Sequence, residues 1–341
     1  MMNRLITKFY VTLAPVWVML FGGIFVSCES KEEESELDTA PLYEVDIHTG
    51  TVKMKELSAI CYVDGFLRID TDADAYDLEY GICYATSQVP TMADNVMCKR
   101  LDNKRSNRIQ IEFPEVFVCL NLTSETTYYY RAYFKDNLTG KISYASEINT
   151  FTTPEFDSNA NSPSWINLGL SVKWATCNVG ADSPEQDGDY FAWGETERKE
   201  RYDSYTYKYY YNNTGKYVDI GSNLNDTQYD VASLKLGESW RIPTINEMTE
   251  LCTACNWVWM TYNGINGHLV TGPNENSIFL PATGYYNGTK LRLMGVKGYY
   301  WSSMLYEFGN SNACCLYFSH DGWYNNEISR EYGLTIRPVC E

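Results

Sequence analysis

Histidine and cysteine are the residues of this chain that could carry chemistry, and histidine is scarce. Only His48, His268 and His320 are present in 341 residues, and none falls into the paired spacing that would hold a zinc ion. Cys252-Thr-Ala-Cys255 has the spacing of a redox dithiol, yet it lacks a βαβ context. The helix expected there turns both thiols toward its buried face. Cys314 and Cys315, close to His320-Asp321, could supply a nucleophile and a base, but closeness in sequence does not set geometry. Asp70-Thr-Asp-Ala-Asp74 opens like a calcium loop. The glycine needed at the sixth position is Ala75 and the glutamate needed at the twelfth is Gly81, so the segment reads as an acidic hairpin tip. There is no glycine-rich phosphate loop and no evident carboxylate pair. These residues predict no catalytic constellation, no metal and no cofactor.

Cys28 offers a different chemistry, acylation. Arg4 and Lys8 precede an apolar run from Phe9 to Val26, and small Ser27 stands just before the cysteine. That is the layout of a lipoprotein signal peptide over residues 1–27, with cleavage before Cys28 and acyl chains anchoring the mature chain to a membrane. Residues 28–40 form a tether in which six acidic groups face one lysine, so like-charge repulsion extends it. Lys31-Glu-Glu-Glu34 resembles the surface-export signal of Bacteroidetes lipoproteins. Asp38-Thr-Ala40 resembles the short acceptor motif for O-glycosylation in Bacteroides-type bacteria, which makes Thr39 a modification candidate. The expected location is the outer membrane, lipid-anchored and facing the cell exterior.

A formal charge of -17 argues against nucleic acid, which rewards clustered Lys and Arg, and against adsorption to anionic lipid. Tyrosine is the compositional outlier, with 29 against 13 phenylalanines. A tyrosine combines a large apolar face with a polar tip at low entropy cost, which suits exposed sheets and binding surfaces. Ten cysteines follow Cys28. An even count in an exported chain permits disulfides without fixing their connectivity, and several are expected to be plain buried thiols. Adjacent Cys314 and Cys315 should point to opposite faces of a strand.

The elements that must position these residues fall into two expected domains. From 41 to 153, short strands rich in β-branched and aromatic residues alternate with polar turns, as in Leu57-Ser-Ala-Ile-Cys-Tyr-Val63 and Thr127-Tyr-Tyr-Tyr-Arg-Ala-Tyr-Phe134. This pattern predicts an all-β sandwich. Leu122-Thr-Ser-Glu-Thr-Thr-Tyr128, Tyr80-Gly-Ile-Cys-Tyr-Ala-Thr-Ser87 and the closing Ser146-Glu-Ile-Asn-Thr-Phe-Thr-Thr153 resemble fibronectin type III domains. The resemblance makes Tyr128 a corner tyrosine whose hydroxyl bonds back to the chain, and makes the domain a spacer.

Residues 154–163 read as a polar linker between independently folding domains, because every tryptophan outside the signal peptide lies beyond it. Residues 164–341 carry six spaced motifs in order. They are Trp165–Gly180, Gly188-Asp-Tyr-Phe-Ala-Trp-Gly-Glu195, Ser239-Trp-Arg-Ile-Pro-Thr244, Ser277–Tyr285, Gly298-Tyr-Tyr-Trp-Ser-Ser303 and Leu334-Thr-Ile-Arg-Pro-Val339. This order is similar to the Fibrobacter succinogenes major paralogous domain of exported Bacteroidetes proteins. Trp240–Thr244 running into Asn246–Leu251 also resembles a segment of formylglycine-generating enzyme-like domains. The resemblance implies an α+β, C-type-lectin-like fold. Thr244 and Glu247 fit a capping box, Ile245, Met248, Leu251 and Cys252 fit a buried helix face, and Arg241 with Glu247 reads as a structural ion pair. Cys314 and Cys315 do not reproduce the cysteine pair that formylglycine-type oxidation requires.

Three clusters favour binding. Tyr202–Gly215 reads as a surface loop of aromatics and amides, and Tyr285-Tyr-Asn-Gly288 and Ser319–Asn326 add two more. Flat rings among Asn and Asp suit sugar rings or protein epitopes. The expected contacts are Tyr205, Tyr207, Tyr285, Trp323, Tyr324 and Asn325. Residues 310–326 also resemble the diversified segments of retroelement-varied lectin-like proteins. The function expected is a surface-displayed, non-enzymatic module binding a glycan or a protein. The alternatives are formylglycine-generating-enzyme-like catalysis and a structural envelope component.

Overall fold

The computed structural model describes residues 43–55, 58–69, 76–102, 110–112, 114–155 and 165–341. Cys28, Thr39, the tether and Asp70–Asp74 lie outside them, as does most of the expected linker.

Nine strands build the first part: β1 Tyr43–Met54, β2 Ala59–Ile69, β3 Asp77–Ala85, β4 Asn95–Asp102, β5 Gln110–Glu112, β6 Glu115–Cys119, β7 Thr127–Asp136, β8 Ile142–Tyr144 and β9 Asn149–Thr152. All their pairings are antiparallel. One sheet holds β1 and β2, with β5 and β6 sharing the far edge of β2; in the other, β4, β3 and β7 lie side by side. Strand β7 shows why the sheets face each other. Tyr128, Tyr130, Ala132 and Phe134 recur with period two and are buried, so one face of the strand is apolar and must be covered. They pack with Cys61, Val63 and Leu67 of β2 and Phe117 of β6. Tyr128 accepts a hydrogen bond from the backbone N–H of Thr123 at 3.0 Å, closing the corner.

Beyond the linker, β10 Trp165–Ile166, β11 Lys173–Ala175, β12 Tyr210–Tyr211 and β13 Lys216–Tyr217 are short, joined by long loops. Two helices follow, α1 Val231–Leu236 and α2 Ile245–Ala254. Then come β14 Asn256–Tyr262, β15 Ile265–Thr271, β16 Ser277–Pro281, β17 Tyr285–Asn287, β18 Lys290–Arg292, β19 Lys297–Leu305, β20 Asn312–Ser319, β21 Gly322–Ser329 and β22 Val339–Cys340. The capping box forms: the Glu247 N–H donates to Thr244 Oγ1 at 3.3 Å, and Glu247 Oε2 accepts from the Thr244 N–H at 2.8 Å. Met248, Leu251 and Cys252 are buried on one side of α2. Arg241 grips Glu247 through both terminal nitrogens, at 2.8 and 2.6 Å, an arrangement that fixes the strand end before the helix.

The two segments share a sheet and one core cluster, although the second also has cores of its own. β14 pairs with β4, Thr261 opposite Cys98 and Tyr262 opposite Met97, so one eight-stranded sheet runs from β16 to β8. The Tyr84 hydroxyl donates to that of Tyr262 at 3.1 Å, and Met260, Tyr262, Leu269 and Phe279 join the core of the first segment. Residues 41–341 form one compact unit. The composition shift near 154–163 is real, but the exposed edge of β4 gains a partner from beyond it, because an unpaired edge leaves backbone groups unsatisfied.

Two arginines are buried. Arg337 donates to Asn178 Oδ1 at 2.8 Å and to the carbonyls of Thr176 at 2.6 Å and Phe279 at 2.9 Å. It thereby ties the last motif to the loop after β11 and to β16. Arg330 lies over the rings of Trp193, Tyr207 and Tyr217, and donates to the Tyr207 hydroxyl at 3.0 Å. All ten cysteines after Cys28 are free thiols; those of Cys61 and Cys119 lie 3.5 Å apart in the sandwich core.

Candidate functional site

The three strands β19, β20 and β21 form a meander whose register decides which side chains meet. Tyr299 lies opposite Tyr317, and Tyr317 opposite Tyr324. Directly opposed residues share a face, so the three rings stand in line across the sheet. Tyr299 and Tyr317 stack with centroids 5.5 Å apart, and Tyr317 and Tyr324 at 5.0 Å. The line continues past the sheet, with Tyr285 4.9 Å from Tyr299 and Tyr332 stacked on Tyr285 at 5.6 Å. Five tyrosines thus form one row, ending at Tyr324, whose side is 48% exposed.

The hydroxyls of this row are largely left free by the protein. Those of Tyr285, Tyr299, Tyr317 and Tyr324 make no hydrogen bond to the protein among the described residues, and none is a sealed, unsatisfied atom. Tyr285, Tyr317 and Tyr324 keep that donor and acceptor capacity open, while Tyr299 is buried at 9% exposure and supports the row from the core side. Four tyrosines packed into the interior are committed instead. Tyr190 donates to the Thr283 carbonyl, Tyr202 to that of Tyr190, Tyr207 to that of Trp193 and Tyr300 to that of Pro281.

The six expected contact residues separate under this geometry. Tyr285 and Tyr324 belong to the row and are linked through Tyr299 and Tyr317. Trp323 and Asn325 alternate with Tyr324 and face the other way. Trp323 packs with the cluster of Tyr300, Leu316 and Phe318, and Asn325 donates to Thr249 Oγ1 on α2 at 2.6 Å. Both side chains therefore dock β21 on the helix. Tyr205 stands 77% exposed on a turn held by Asp203. Tyr207 is only 3% exposed and must be corrected from contact to core, since its ring fills the space under Arg330. The loop expected at the surface also sinks Tyr202 and Tyr209 into the interior, because edge-on and stacked aromatic contacts replace a conventional apolar core there.

Tyr299, Tyr317 and Tyr332 were not among the expected contacts. Tyr299 and Tyr317 sit in apolar strand sequence, and only the pairing register shows them to be neighbours of Tyr324. The detectable signal was Tyr at alternate-face positions of three successive hairpin strands.

The candidate chemistry residues are placed as follows. Cys252 lies in α2 and Cys255 caps its end. Burial pushes the Cys255 thiol up to about 11, and it raises Cys252, Cys314 and Cys315 as well. A raised thiol is a poor nucleophile at neutral pH. His268 is buried edge-on between Trp257, Trp259 and Phe318. Its Nε2 lies 2.9 Å from the Ser319 carbonyl, so that nitrogen carries the proton. Burial drives its pKa down to about 4, which leaves the ring neutral. His320 is exposed, with Asp321 at 3.5 Å. No group of three or more potential metal-binding side chains occurs among the described residues.

No family model matches the chain, and no curated protein matches it. Among solved structures, a calcium-binding mutant of Bacteroides uniformis beta-glucuronidase 2 is similar at 12% identity over 31% of this chain. The match covers 13% of that chain with a TM-score of 0.17, a likeness too slight to carry an argument about fold or function.

Proposed function

We propose that the chain is a non-enzymatic binding module, carried at the cell surface by a lipid anchor on Cys28, whose tyrosine row takes a glycan. In this reading the first segment is a fibronectin type III-like spacer. The second is a lectin-like domain related to the Fibrobacter succinogenes major paralogous domain.

The observation that carries the reading is the row Tyr332–Tyr285–Tyr299–Tyr317–Tyr324 with four uncommitted hydroxyls. Stacked rings offer their edges and hydroxyl tips along the row, and an outer face at Tyr324. Sugars present alternating hydroxyls and C–H faces, so one strip meets both. A catalytic reading by thiol chemistry draws no support from thiols whose pKa burial raises.

The test is a glycan panel probed with the full chain in detergent and with Tyr317→Phe and Tyr324→Ala. Binding to a glycan that weakens in both variants, with the fold intact, supports the reading. A panel with no binder, or a binder indifferent to both substitutions, contradicts it. Capture of a protein ligand by the same row would move the reading from glycan to protein.

A further inference from the structure

The row is built largely from a stretch of chain without acidic residues. The protein carries 44 acidic against 27 basic side chains, yet residues 276–306 contain Lys290, Arg292 and Lys297 and not one Asp or Glu. Several other cations are spent on carboxylates: Lys53 and Lys55 on Glu275, Arg201 on Asp203, Arg241 on Glu247. Lys290, Arg292 and Lys297 make no ion pair among the described residues.

Their placement follows from register. In the β17–β18 hairpin Tyr285 lies opposite Arg292 and Asn287 opposite Lys290. Residues two apart share a face, so Tyr285, Asn287, Lys290 and Arg292 stand together while Tyr286 turns inward against Tyr202. Lys297 is two residues before Tyr299 on the row's side of β19, and its Nζ lies 5.2 Å over the Tyr317 ring. The three cations therefore flank Tyr285, Tyr299 and Tyr317. Of the neighbouring carboxylates, Glu331 is held by the Tyr217 hydroxyl at 2.9 Å, and Asp321 lies on the β20–β21 turn, 3.5 Å from His320.

We propose that the ligand of the tyrosine row is an acidic glycan, with its carboxylate or sulfate groups met by Arg292, Lys290 and Lys297. The inference rests on the glycan reading above and narrows its class. Arginine and lysine supply charge-assisted hydrogen bonds to either anion, and the free tyrosine hydroxyls and Asn287 meet the sugar hydroxyls. The chain's overall negative charge does not forbid this. Charges more than about 8 Å away are largely screened at physiological ionic strength, so the local cations decide. That same overall charge suppresses indiscriminate binding of polyanions.

The experiment uses the full chain in detergent with two matched pairs: oligogalacturonate against its carboxyl-reduced form, and chondroitin sulfate against its desulfated form. The expected result is binding of at least one acidic member about tenfold tighter than its neutralised partner, weakening as salt is raised. The triple variant Lys290→Gln, Arg292→Gln, Lys297→Gln, at two exposed positions and one half-buried one, should erase that preference while its thermal unfolding is unchanged. The pair that shows the preference tells carboxylate from sulfate. Equal binding of both members overturns the acidic-ligand inference and leaves the glycan reading standing. A preference that survives in the triple variant overturns the inference by placing the anion elsewhere. Silence from all four probes overturns it too, and the glycan reading falls with it only if the wider panel is silent as well.

Discussion

Two groups of tyrosines in the C-terminal half do opposite things with the same side chain. Around the 202–217 loop, the hydroxyls of Tyr202, Tyr207 and Tyr217 are bound to backbone or side-chain partners and the first two rings are buried. Across β19, β20 and β21 the rings touch one another and the hydroxyls stay free. A committed tyrosine works as a long apolar side chain whose polar tip must be satisfied, while an uncommitted one keeps its hydrogen-bonding capacity for another molecule. Tyrosine abundance alone therefore says little about binding. The state of the hydroxyl, taken together with the ring's exposure and its place in the row, marks the candidate surface.

The comparison breaks most visibly in the scaffold. Trp301→Ala removes a buried ring whose Nε1 donates to the Phe191 carbonyl at 2.7 Å, from the same sheet face that carries the row. We expect a loss of about 3–5 kcal/mol in denaturant unfolding. A loss under about 1 kcal/mol would mean that this face is not held by its tryptophan core.

The pH dependence gives the next effect. A buried His268 titrating near 4 binds fewer protons when folded than the unfolded chain, whose histidine titrates near its ordinary value. Stability should therefore fall as pH drops from about 6.5 to about 4, by about 3 kcal/mol from this group. His268→Phe should flatten that part of the profile relative to the parent chain. Parallel profiles for the two proteins would show that His268 does not contribute.

Tyr207→Phe should cost about 1–3 kcal/mol, since it strips a partner from both the Trp193 carbonyl and Arg330 Nε in a dry site. The same deletion within the row, Tyr317→Phe, should change stability by less than about 0.5 kcal/mol. Unfolding curves for the pair sharpen the contrast. Equal costs would erase the distinction between committed and free hydroxyls.

Much of this arrangement is legible along the chain, in proportion to how local the signal is. The capping box at Thr244 and Glu247, the apolar face of α2, the Tyr128 corner and the antiparallel strands of 43–153 all follow from spacing within a few residues. The row does not, because it depends on three strands pairing in one register, and a shift of one residue would have put Trp323 in line instead of Tyr324. Tyr207 was misplaced for a related reason. Its loop is as polar and aromatic as a surface loop, and only the buried Arg330, 123 residues further along the chain, explains why it sinks. The pairing of β4 with β14 was equally invisible, since an edge strand's partner is not written in either strand's own pattern.

The central claim is that the free-hydroxyl row, and not the committed tyrosines, forms the recognition surface. Isothermal titration of one glycan identified on the panel tests it most directly, with Tyr317→Phe compared against Tyr207→Phe under conditions where both are folded. The account predicts a weakening of about fivefold or more for Tyr317→Phe, as one or two hydrogen bonds to the ligand are lost, with affinity for Tyr207→Phe within about twofold of the parent. Unchanged affinity for Tyr317→Phe, or a larger loss for Tyr207→Phe, would contradict it.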